Sequence, residues 1–146
     1  MIRYPQEYQV SSSAGPGIQA LWIARIGAEG RTSEINCSIP PEFEGPGGGL
    51  SPEDLYASAL ANCFVATFKV FAEKSQLTFN QLETSGTLTV DRDEQGVPWM
   101  SKFHLQIRLS GAADPERAKR LLEKTSRSCL VLNSVRTEKS FEFVVS

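Results

Sequence analysis

The sequence predicts an α+β fold, an antiparallel sheet with helices on one face, and three observations carry that prediction. Residues 102–110 alternate strictly, with Phe103, Leu105, Ile107 and Leu109 on one face and His104, Gln106 and Arg108 on the other. Period two over that length means a strand with one covered face. Residues 55–72 instead recur at helical spacing, through Leu55, Tyr56, Ala59, Leu60, Cys63, Phe64, Thr67, Val70 and Phe71. A second helical pattern follows the strands, so the order of elements is β-β-α-β-β-α-β with a long apolar helix in the middle.

In order along the chain, residues 4–12 suit an extra edge strand and 11–17 a loop. Residues 19–26 read as a strand carrying Leu21 and Ile23, and 32–39 as its return. The segment 27–30 between them is a tight turn bounded by glycines, which accept positive φ, so the pair forms a hairpin. Residues 40–52, PPEFEGPGGGLSP, contain too many prolines and glycines for regular structure.

The long helix then starts cleanly: Ser51 is a cap, Pro52 suits the first helical position, and Glu53 and Asp54 favour the positive end of the dipole. Ala57, Ala61, Val65, Phe68 and Ala72 make its other sides apolar too. Such a helix must be covered on most faces, and a second copy of the chain is the simplest extra cover for one this small. Residues 82–90 return to strand, 91–96 form a polar turn and 102–110 are the alternating strand. A helix over 114–126 is capped by Asp114, begins with Pro115 and buries Ala118, Leu121 and Leu122. Residues 129–135 suit a short third helix, and 140–145 close the chain as a strand.

The 146 residues suit a single domain, 1–146, able to bury a core without disulfides or a structural metal. Net charge is −2 and no basic run tracks a phosphate backbone, which argues against a nucleic-acid partner. The opening MIRYPQEYQV has no apolar signal-peptide core. The apolar helix is interrupted by Asn62, Thr67 and Lys69, which argues for a buried helix over a membrane span. Three cysteines, an odd number, suit a reducing, cytoplasmic setting. His104 stands alone on a polar strand face, so no metal site is expected, and the glycines of GPGGG lack the Lys and Ser/Thr of a phosphate loop.

Cysteine chemistry is the remaining signal. Cys63 lies on the long helix and Cys129 at the start of the third, where unpaired backbone N–H groups would lower a thiol's pKa. Either residue, by type alone, could equally be buried packing. The run GPGGG, SPEDL, YASALANCF resembles the signature of the OsmC/Ohr family: a Gly-rich loop, [NS]PE-[EQD]-L, an Ala-rich helix and a terminal CF. Pro52, Glu53, Leu55, Ala57, Cys63 and Phe64 fall in register with it, and Cys129 stands where the family has a second cysteine opening a short helix.

The resemblance implies an intertwined homodimer, with long central helices wrapped by sheets and the active site at the interface. It implies reduction of organic hydroperoxides without a cofactor, Cys63 being peroxidatic, Cys129 resolving, and a dithiol restoring the pair. Glu53 matches the family glutamate that holds an arginine against the thiolate. Ten residues along a helix is about 15 Å, so Glu53 acts through that bridging arginine. The family's arginine position falls at Ala28, between Arg25 and Arg31, and Arg31 is the preferred candidate. The family commonly has Pro after the second cysteine, where this chain has Leu130. Cys37 has no counterpart and reads as structural; Phe43, Phe64, Phe68 and Trp99 would suit a pocket for the organic group. Two rival readings stay open for the chain: a non-enzymatic member of the same fold that binds an apolar ligand, and a thiol redox sensor.

Overall fold

A computed structural model describes residues 1–28 and 30–146. The chain divides into two units, Met1–Leu55 and Tyr56–Ser146.

The first unit holds strands β1 (Val10–Ser13), β2 (Trp22–Ile26) and β3 (Ser33–Cys37), ordered β1-β2-β3 and antiparallel throughout. Its hairpin pairs Trp22 with Cys37 and Ile26 with Ser33. Glu29, inside the predicted turn 27–30, lies outside the described residues. Gly27 is required there: its φ is +95°, and an added Cβ would sit 2.6 Å from the Arg31 carbonyl oxygen. Strand β1 is shorter than the expected 4–12 and lies nearer the loop. A 3-10 turn at Pro41–Phe43 follows β3. The Gly-rich loop is then tied back to β3, because Leu50 N donates to Asn36 O at 2.9 Å and Ser38 N donates to Leu50 O at 3.1 Å.

Helix α1 (Pro52–Lys74) begins in the first unit. The Ser51 hydroxyl accepts from Asp54 N at 3.1 Å while Asp54 Oδ2 accepts from Ser51 N at 2.9 Å, a reciprocal capping box. The helix ends without glycine: Gln76 takes φ 55°, and Leu77 N reaches back to Ala72 O at 2.9 Å. An 18-residue window of α1 has mean hydropathy 1.4, enough by length and composition for a membrane span. In this fold its row Leu60, Phe64, Phe68 and Ala72 is instead buried in the core of the second unit.

That second unit contains β4 (Gln81–Arg92), β5 (Pro98–Ser110), α2 (Pro115–Ser128), α3 (Leu130–Asn133) and β6 (Glu138–Val145). Strands β4 and β5 form the expected antiparallel hairpin, from Gln81 opposite Ser110 to Arg92 opposite Pro98, with a register shift at Thr89/Val90. Strand β6 departs from expectation: it pairs parallel to β5, from Lys102 beside Glu138 to Leu109 beside Val145. The architecture remains α+β, but its strands form two three-stranded sheets, one of them mixed. The physical reason is the connection. A crossover through two helices returns the chain to the same end of the sheet, which a hairpin cannot do.

The alternation of β5 holds residue by residue, with Phe103, Leu105, Ile107 and Leu109 in the core. They meet α1, Ala118 and Leu122 of α2, and Leu132 of α3. Phe64 packs against Phe141 and Phe143, with ring centroids 6.0 and 6.2 Å away. Helix α2 starts as predicted, its Asp114 Oδ1 accepting from Arg117 N at 3.1 Å.

Candidate functional site

Two free thiols meet in the second unit. Cys63 sits one helical step from the buried Phe64 row of α1 and is half-buried. Cys129 is fully buried and serves as both the C-cap of α2 and the N-cap of α3. Its φ of −73° and ψ of 121° are extended, which breaks α2 and turns the chain into α3. The structure therefore brings together two cysteines far apart in sequence: Cys63 is close enough to shift the Cys129 thiol, and its sulfur meets Val131 N two residues beyond Cys129.

The two sulfurs have different surroundings. Cys129 Sγ donates to the Thr125 carbonyl oxygen, one turn back, at 3.1 Å. Burial pushes the Cys129 thiol up to about 11, the neighbouring Cys63 adds to the rise, and a hydrogen bond from Thr67 opposes it. This corrects the expectation that the helix start would lower the Cys129 pKa. Its sulfur turns back toward α2, so the α3 N–H groups are left for another acceptor. Val131 N donates at 3.3 Å to Cys63 Sγ. A hydrogen bond of this kind strengthens when sulfur carries charge. The geometry keeps Cys129 a sealed, protonated thiol and gives Cys63 access and an N–H donor.

The surrounding contacts fix α3 and its exit. Tyr56 Oη and Thr137 Oγ1 are 2.6 Å apart, and Thr137 Oγ1 donates to Met100 O at 2.8 Å. The Arg136 guanidinium lies over the Trp99 ring, 5.3 Å from its centroid. Lys139 Nζ donates to Leu132 O and to Val135 O, each at 2.9 Å. Sequence reasoning missed Thr67, Val131 and Lys139. Val131 acts through its backbone and leaves no signature in residue type. Thr67 lies one turn beyond Cys63, and Lys139 breaks the apolar phase it shares with Phe141, Phe143 and Val145.

The remaining predicted site residues belong to the first unit. Glu53 is in the first turn of α1, with Oε2 buried and without a hydrogen-bond partner. Arg25 pairs with Glu34 across β2 and β3. The Arg31 guanidinium lies over Tyr8, 5.7 Å from the ring centroid. The expected bond from either arginine to Glu53 is thus not made within this unit. Arg25 projects from a strand directly opposite a carboxylate, and that shorter-range partner takes it.

Two further expectations change. Phe64 and Phe68 are fully buried core residues, so they line no pocket, because the burial row of α1 passes through both. Phe43 is exposed on the 3-10 turn. Cys37 is buried at the end of β3. His104 is exposed, with Nδ1 2.7 Å from Ser140 Oγ. A groove of about 440 Å³ lined by Glu83, Thr84, Ser85, Gln106 and Arg108 lies on the outward face of the mixed sheet and does not include the cysteines.

Comparisons with known proteins extend this picture. Residues 45–144 match the family model described as OsmC-like protein. The uncharacterized protein YmaD of Bacillus subtilis is 30% identical over 105 residues, 67% of this chain and 68% of that protein. An uncharacterized protein of Acinetobacter baylyi is 25% identical over 113 residues, 77% of each. Among solved structures, an OsmC-like protein of unknown function from Vibrio cholerae superposes with a TM-score of 0.82 at 18% identity, over 96% of this chain and 100% of that one. The organic hydroperoxide resistance protein OhrB of Bacillus subtilis gives a TM-score of 0.69 at 17% identity, over 97% and 98%.

Proposed function

The chain belongs to the OsmC-like protein family, and from that premise we propose that it reduces organic hydroperoxides to alcohols with two cysteines. The observation that carries the reading is the unlike pair: Cys63, half-buried under the Val131 N–H, beside the sealed thiol of Cys129. The Cys63 thiolate attacks the outer peroxide oxygen, the O–O bond breaks, and the alkoxide takes a proton to leave as alcohol. Cys63 then carries a sulfenic acid. Cys129 attacks that sulfur, forming the disulfide and releasing water. A dithiol reduces the disulfide by exchange and is itself oxidised, which restores both thiols.

Glu53 enters through its buried, unpartnered oxygen. In this reading an arginine of a second copy of the chain, Arg31 or Arg25, bonds that oxygen and directs its other donors at the thiolate. A homodimer is supported independently by the first sheet. Its β1 is exposed throughout and Leu21, Ile23 and Ile26 remain exposed, whereas a three-stranded sheet needs a packed face to be stable. The protein is read as one domain, working in a reducing, cytoplasmic setting.

The test is turnover of cumene hydroperoxide with a dithiol, followed by peptide mapping. Cys63→Ser is expected to abolish turnover. Cys129→Ser is expected to give one reaction and then stall. The mapped link joins Cys63 to Cys129 and leaves Cys37 free. Absence of cysteine-dependent turnover, or a Cys37 link, overturns the reading. A second reading, a thiol redox sensor, is favoured by the raised pKa of Cys129, which prolongs the sulfenic acid on Cys63. Slow turnover with a long-lived sulfenic acid distinguishes it.

A further inference from the structure

Strand β6 alternates exposed and half-buried residues, and the inward set is Lys139, Phe141, Phe143 and Val145. Three of these are apolar, as a core-facing strand requires. The fourth is a lysine, placed beside the fully buried Phe103 of β5. Among the described residues no carboxylate pairs with its ammonium. Its acceptors are two backbone oxygens, Leu132 O in α3 and Val135 O just beyond it.

Helix α3 is a single turn of four residues. One turn fixes many backbone angles for few hydrogen bonds and does not persist unaided. Yet this turn carries the N–H that meets Cys63 and begins at Cys129. Its orientation sets both contacts. A cation on the carbonyls at its C-terminal end is favourable by charge as well as by hydrogen bonding.

We propose that Lys139 is a positioning residue for the cysteine pair: it clamps the end of α3 so that the Val131 N–H faces Cys63 Sγ and Cys129 stays beside it. The inference rests on the two-cysteine reading for its purpose, but the clamp has consequences that need no peroxide. Lys139 acts through the backbone, its ammonium donating to Leu132 O and Val135 O and to neither sulfur.

The experiment compares Lys139→Met, which keeps bulk and removes the donors, with Lys139→Arg, which restores donors and charge. Iodoacetamide alkylation of Cys63 is followed by mass spectrometry at neutral pH, with folding checked by circular dichroism. Lys139→Met is expected to slow alkylation about tenfold, the loss of one charge-assisted contact to sulfur, and Lys139→Arg to recover most of it. After one equivalent of cumene hydroperoxide, closure of the Cys63–Cys129 disulfide is expected to slow in the same order. Wild-type rates in a folded Lys139→Met variant, or an Arg variant as impaired as Met, overturn the proposal.

If Lys139→Met does not fold, amide exchange of the native chain decides. Protection of Val131 and Asn133 within about tenfold of Arg127 in α2 supports the clamp, and exchange at solvent rates overturns it. Failure of peroxide turnover with the alkylation pattern intact would sink the peroxidase reading and leave the clamp. The reverse pattern would sink the clamp alone.

Discussion

Closure of the disulfide should depend steeply on pH, because the attacking group is Cys129. With its thiol pushed up to about 11, about one molecule in ten thousand carries the Cys129 thiolate at pH 7. A thiol at the ordinary 9.0 would have about a hundred times more. A more basic thiolate is a better nucleophile, and a Brønsted coefficient of about 0.4–0.5 returns roughly tenfold of that loss. Closure is therefore expected about tenfold slower than for an unperturbed thiol, rising about tenfold per pH unit from 7 until the thiol titrates near 11. The assay oxidises the chain with one equivalent of cumene hydroperoxide, quenches with acid at intervals, and counts sulfenic acid and disulfide by mass. Desolvation is the largest cause of the shift, so it persists after Cys63 is oxidised. A closure rate flat between pH 7 and 9 would refute the reasoning, since it would require a nucleophile already ionised.

The same thiol should mark the folding equilibrium. A group whose folded pKa is raised keeps its proton while the unfolded chain loses it, so its contribution is full below pH 9 and is lost as pH rises toward about 11. The loss is about 3 kcal/mol across that window, read as the difference between urea-denaturation pH slopes of the wild type and Cys129→Ala; equal slopes would contradict it. Gly86→Ala should destabilise by about 1–3 kcal/mol, because overpacking forces buried groups to shift. The added Cβ would lie 2.7 Å from Cζ of Phe103, a ring that is 1% exposed. An unchanged urea midpoint would count against that packing.

How much of this was legible depended on whether a feature lives in side-chain pattern or in backbone path. The alternation from Phe103 to Leu109, the Asp114–Pro115 start and the Ser51 cap are side-chain patterns, and each reads directly from the chain. The parallel direction of β6 is a property of the connection, and an alternating strand looks the same in either direction. The end of α1 escaped because Gln76 takes the left-handed conformation usually left to glycine. At the site, residue types pointed to Cys63 and Cys129 but not to their division of labour. That division depends on a bond from Cys129 Sγ to a carbonyl one turn back and on a main-chain N–H, neither of which the residue type encodes. The pairing of Arg25 with Glu34 becomes visible only once β2 and β3 are in register.

Leu130 brings these threads to one place. Proline after the second cysteine would stiffen the first turn of α3 from within, by fixing φ. Leu130 cannot do that, and its side chain, 77% exposed, adds little packing. The turn is instead held from outside. Asn133 Nδ2 donates to Arg127 O at 3.0 Å, which ties α3 to the last turn of α2. Ser134 Oγ donates to Leu130 O at 2.7 Å, and Asn133 N to Cys129 O at 2.9 Å. Lys139 takes the carbonyls at the far end. A turn held by these five external and local bonds needs no proline to aim one N–H. It can also yield when those bonds break, and closure of a disulfide demands that the buried sulfur of Cys129 give up its bond to Thr125 O. The substitution at Leu130 is therefore compatible with the chemistry, because the order that proline would supply at the entrance of the turn comes from side chains on both of its flanks.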